Sequence, residues 1–168
     1  MHQRKIIVII ISWLSMIATD FLIHGGILAK LYMKSSPFLL SPEVAFIRIP
    51  LGYISFLLLA WLLYYFFKKE WPINKRDGFT QGLIIGAIVW GSMLLGLYSI
   101  STIDPVLALG WMAGQSVEMG IGGYFMVLTY HAEKISKPWK VLGIFFILMF
   151  VIAIILQVVG IAPAVKIN

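Results

Sequence analysis

Three ionisable residues, Asp20, His24 and Glu118, stand inside otherwise apolar stretches of a chain that is 61% hydrophobic. A charge at the centre of a bilayer costs roughly 2.5–3.5 kcal/mol on insertion scales, so such side chains face a protein partner, a cavity or a ligand rather than lipid. Asp20 and His24 are four residues apart, which on a helix puts them on one face and within reach of each other. An imidazole changes charge in the physiological range, so a His beside a carboxylate can serve as a proton relay or a proton-linked binding site. Gln115, three residues before Glu118, adds an amide to the carboxylate's surroundings. Arg48 and Lys30 are candidate cationic partners, although long basic side chains near the ends of spans also anchor at headgroups.

Asp, His and Glu are suitable ligands for iron or zinc, yet three donors divided between two distant segments, without a second buried His, do not define a metal site by themselves. A haem held by two histidines would need His24 from two subunits, because His2 and His131 fall at the ends of apolar runs. The metal and any cofactor therefore stay open. Other chemistries are excluded more firmly. The chain has no cysteine, which removes disulfides and thiolate catalysis. It also lacks a glycine-rich phosphate loop, a nucleophile elbow and a His-Glu-x-x-His pair, so no catalytic residue is assigned.

The elements that must position these residues are apolar runs at 6–30, 46–67, 80–101, 106–130 and 139–161. Each is near the ~20 residues a helix needs to cross a bilayer. Only 12% of residues are charged and the mean hydropathy is +0.96, whereas soluble domains carry about 25% charged residues. The expected fold is all-α: one membrane domain over residues 1–168, a bundle of five transmembrane helices. The first run continues past Asp20 to about Leu31, longer than the ~7–15 residues of a signal core, so it is expected to remain as a helix. At 1.5 Å per residue, Asp20 and Glu118 fall near mid-depth and His24 one turn further out. They meet only if the first and fourth helices are neighbours.

The net charge of +6 is topological. Arg4, Lys5, Lys68, Lys69, Lys75, Arg76, Lys134, Lys137 and Lys140 fall on one side, against Lys30, Lys34, Arg48 and Lys166 on the other. That bias predicts a cytoplasmic N-terminus, an outer C-terminus and a multi-pass protein of the cytoplasmic membrane, with no nucleic-acid partner. Gly110, Gly114 and Gly122 share a four-residue spacing with Glu118, while Gly82, Gly86 and Gly96 form a second stripe with Gly91 on the opposite face. Small residues at this spacing let helices approach closely, and packing of the third helix on the fourth is their simplest use.

The leading functional reading is a non-enzymatic protein that binds or passes protons or a small solute at an intramembrane Asp/His/Glu site. Its expected partners are the lipid bilayer and further copies of itself. The alternative is a non-catalytic accessory or assembly subunit of a larger membrane complex. A membrane enzyme acting on a lipid or quinone comes third, and would need a lateral pocket beside His24.

Overall fold

The computed structural model describes residues 2–34 and 36–163; Lys166, counted above among the outer charges, lies outside them. All secondary structure among the described residues is helical. Helix α1 (His2–Leu22) continues through a π-helical turn (Ile23–Ile27) into the short α2 (Ala29–Tyr32). Four long helices follow: α3 (Pro42–Phe67), α4 (Lys75–Ile100), α5 (Pro105–Tyr130) and α6 (Ser136–Val158). The stretches Arg4–Ile27, Val44–Phe67, Lys75–Ile100 and Ser136–Val158 are long and apolar enough to cross a membrane, which points to a membrane protein. Helix α5 is equally long at 26 residues but is not among them. Its glycines, Gln115, Ser116 and Glu118 dilute its hydropathy.

Helix starts reach further than the apolar runs because polar residues form the first turns. Helix α4 begins at Lys75, where the Asn74 side chain accepts from the Asp77 N–H at 3.0 Å. At α5, Asp104 Oδ1 accepts from the N–H groups of Val106 and Leu107 at 2.8 and 3.0 Å, with Pro105 in the first position. Both are N-caps, in which a side-chain oxygen satisfies amides that have no partner in the helix.

Helix α5 is the axis of the bundle. It packs on α4 along one side and on α1 along another, and α3 and α6 flank α1. Helices α1, α4 and α6 leave one end, rich in Lys and Arg and called here the basic end; α3 and α5 return to it from the far end. The α4–α5 contact is made backbone to backbone. A Cβ on Gly82 would strike the Met119 carbonyl, one on Gly123 the Gly78 carbonyl, and one on Gly86 would lie 2.8 Å from Ser116 Cα.

The glycine stripe of α5 is used differently from the expectation that both stripes serve one hairpin. Gly110, Gly114 and Gly122 turn away from α4 and receive Leu28, Ile23 and Met16 of the first helical segment. Helix α5 thus carries two glycine faces, with Gly120 and Gly123 reserved for α4. At 100° per residue Gly120 and Gly123 stand on a different side of α5 from Gly110 and Gly114, so the two sets meet different neighbours. Likewise Gly96 has nothing within 4 Å, and Gly91, placed by its spacing on the opposite face, lies towards Met112 of α5.

The basic half of the interior is closely filled by Val8, Met16, Leu63, Phe67, Met119 and Met126. Its hydroxyls are all satisfied by backbone: Ser12 donates to the Gly122 carbonyl, Ser15 to Ser12 and Thr19 to Ser15. At the basic end Trp71 stacks on Tyr130 with centroids 3.6 Å apart, and the Arg4 guanidinium donates to the Ala132 carbonyl.

Candidate functional site

The site begins with the π-helical turn. The Leu28 N–H donates to the Ile23 carbonyl at 2.8 Å, five residues back instead of four. A turn of this kind holds one extra residue and is found often at functional sites. Here it carries His24, Gly25 and Gly26 and brings α2 back over the imidazole. Gly26 is buried, and a Cβ there would lie 3.1 Å from Leu156, so its small size admits α6.

Packing of α1 on α5 brings Asp20, His24, Gln115 and Glu118 together. His24 Nε2 lies 3.3 Å from Glu118 Oε1, 3.8 Å from Asp20 Oδ1 and 3.2 Å from Gln115 Nε2. One atom from each of Asp20, His24 and Glu118 falls within 4.8 Å of the other two. Glu118 is 0% exposed. Its contact with His24 is at ion-pair distance without hydrogen-bond geometry, so both Glu118 oxygens and Gln115 Oε1 are buried with no hydrogen-bond partner. A single ring nitrogen presents at most one proton, so His24 cannot satisfy both carboxylates.

On its other side the ring is held. Its Nδ1 is 2.5 Å from the Tyr32 hydroxyl, which accepts from Trp111 Nε1 at 2.5 Å. An indole N–H can only donate, which fixes the sense of that bond. Tyr32 and Trp111 were not legible as site residues from their types. The signal for Trp111 was its position: Trp111, Gln115 and Glu118 fall at i, i+4 and i+7, one face of a helix. Replacing Tyr32 by phenylalanine should leave Trp111 Nε1 and His24 Nδ1 without partners. A loss of about 1–3 kcal/mol in stability is expected, read by thermal unfolding in detergent, and an unchanged transition would show that the hydroxyl does not hold the ring.

A pocket of about 310 Å³ opens beside the cluster, bounded by Asp20, His24, Tyr32, Trp111 and Gln115 on one side. Across it stand Tyr53 of α3 and Trp90 of α4, whose indole N–H is buried without a partner. The mouth lies along Ile49, Gly52 and Ser55, all exposed on α3, where α3 and α4 have little direct contact. A larger cleft of about 810 Å³ sits at the basic end among Lys75, Lys134, Lys137 and Lys140, remote from the cluster.

Neither cation named from sequence reaches Glu118. Arg48 is exposed on α3 and makes no ion pair among the described residues, and Lys30 donates to the Gly160 carbonyl at 2.7 Å. Both heads lie at the surface, as expected for long basic side chains near helix ends. His24 is the only basic group in the cluster among the described residues.

Among the described residues, fold and site together define a helical protein with four apolar candidate spans and an Asp/His/Glu cluster built around the buried Glu118. In comparison with known proteins, no family model, no curated protein and no solved structure matches the chain.

Proposed function

We propose that this is a five-span protein of the cytoplasmic membrane, N-terminus inside and C-terminus outside, that binds protons or a small solute at Asp20, His24 and Glu118. The carrying observation is Glu118: a carboxylate with no exposure, both oxygens lacking a donor, beside an imidazole that a second carboxylate also faces. Ionisable residues inside membrane segments are costly and most often mark functional sites. The fifth span in this reading is α5, whose polar residues are wrapped by α1 and α4 and need not meet lipid. The excess of Lys and Arg at the basic end supports the orientation.

The pocket gives access from the far half of the bundle, and the layer of Ser12, Met16, Met119 and Met126 closes the way to the basic end. Passage across the membrane therefore requires that layer to part. The test is proton movement in liposomes containing a trapped pH dye under an imposed gradient. The wild type is expected to collapse the gradient faster than Asp20→Asn and Glu118→Gln, with both variants folded. Equal rates in all three would overturn the proton reading.

One observation favours a second reading. The pocket beside His24 opens sideways along exposed α3 residues, as an enzyme acting on a lipid or quinone would need.

A further inference from the structure

We propose that Asp20, His24 and Glu118 bind a divalent transition-metal ion of the zinc or manganese class, with Gln115 at its edge. This deepens the reading of the cluster as a binding site and rests on it.

The geometry carries the inference. Ligand atoms held tetrahedrally around one ion at about 2.0–2.2 Å lie roughly 3.3–3.6 Å from one another. The His24–Glu118 separation of 3.3 Å is already in that range, and the Asp20 carboxylate, 3.8 Å from His24 Nε2 and within 4.8 Å of the Glu118 ligand atom, must rotate inward to join them. Asp20 is half-buried and borders the pocket, so it has room to do so.

The unmet polar groups give a second, independent argument. Glu118 Oε1 and Oε2 and Gln115 Oε1 are acceptors without donors, and the one proton of a neutral imidazole, turned to Tyr32 from Nδ1, reaches neither facing carboxylate. A cation has no directional limit of this kind and can be shared by every acceptor around it. Charge points the same way, since two carboxylates and a neutral imidazole balance a divalent ion with nothing left over in a medium of low dielectric.

On its Nδ1 side His24 matches what metal-binding histidines require, while on the other the Gln115 amide, 3.2 Å from Nε2, must turn aside for the ion. In such histidines the ligating nitrogen faces the ion and the other donates to an acceptor that fixes the ring, usually a carboxylate or carbonyl. Here that acceptor is the Tyr32 hydroxyl, itself held by Trp111. One nitrogen with carboxylate oxygens suits zinc or manganese, whereas magnesium and calcium prefer oxygen alone.

The full chain, free of any affinity tag and stripped with a chelator, would be titrated in detergent with zinc ion by calorimetry. The expected result is one ion per chain, with magnesium unable to compete. Asp20→Asn and Glu118→Gln are each expected to weaken binding by more than tenfold, and Tyr32→Phe, which removes no ligand, by about 10–100-fold. His131→Ala should change nothing. Cobalt substituted for zinc should give an absorption spectrum of mixed nitrogen and oxygen ligation that changes in Tyr32→Phe, a readout that stands even if a ligand variant fails to fold. Zinc binding that persists unchanged in folded Glu118→Gln, or a folded wild type that binds none, overturns the proposal. If zinc does not bind but proton flux still depends on Asp20 and Glu118, the metal falls and the proposed function stands; if neither is seen, both fall.

Discussion

Replacing Glu118 by methionine is expected to make the protein more stable while abolishing its binding function. The carboxylate is completely enclosed, and neither oxygen receives a hydrogen bond. Exchange of buried ionic groups for apolar side chains of similar volume is often neutral or stabilising by about 1–4 kcal/mol, because the desolvation cost disappears with the charge. Methionine follows the path of the glutamate side chain and fills irregular space, so it should leave little cavity. Its neighbours would remain paired as they are: His24 with Tyr32 and Gln115, and Asp20 beside the pocket. Thermal unfolding at one pH, compared with Glu118→Ala, separates the effects. Methionine should raise the midpoint, while alanine should lower it through the cavity it opens. A lower midpoint for methionine would mean that the carboxylate holds the bundle together, and would favour the reading as a structural subunit.

The second large effect concerns the α4–α5 contact. Alanine at Gly123 would place its Cβ on the Gly78 carbonyl, and at Gly82 on the Met119 carbonyl. Backbone cannot turn aside as the end of a flexible side chain can, so the helices must separate along the whole seam. A loss of about 3 kcal/mol or more is expected for either substitution, at the upper end of the range for overpacking. Gly96→Ala is the matched control: nothing lies within 4 Å of its Cβ, and alanine there should be neutral or stabilise the helix by about 0.5–1 kcal/mol. Denaturant unfolding of the three variants decides the matter. If Gly123→Ala is as stable as Gly96→Ala, the helices do not touch through their backbones. Because the other side of α5 carries Glu118, widening of the seam should also disturb the cluster.

What could be read from sequence divides along physical lines. The apolar runs were legible because hydropathy is a summed property, and Asp20, His24 and Glu118 because a charge among apolar residues is costly wherever it falls. Whether those three meet was not legible, since it depends on α1 lying beside α5. The glycine spacing held that information but was matched to the wrong neighbour: Gly110, Gly114 and Gly122 receive α1, and α4 is met by Gly120 and Gly123. Arg48 was drawn in by its charge alone, while its length and its place near a helix end take it to the surface. Tyr32 and Trp111 went unseen because aromatic residues near the ends of spans have a commoner use at the membrane boundary. Helix ends were missed by up to five residues at α4, where Lys75, Arg76 and Asp77 are helical without being apolar.

The extra residue in the turn at Ile23–Ile27 makes the cluster a matter of chain length as well as of side-chain identity. Deleting Gly25 would preserve Asp20, His24, Tyr32, Trp111, Gln115 and Glu118 as residue types. It would also wind the turn back to an ordinary one and swing all that follows by about 100° around the helix axis, carrying the Tyr32 hydroxyl off the imidazole. The cluster is thus encoded by a count of residues as much as by their kinds, and a single-residue deletion would dismantle it while leaving every one of its side chains in the chain.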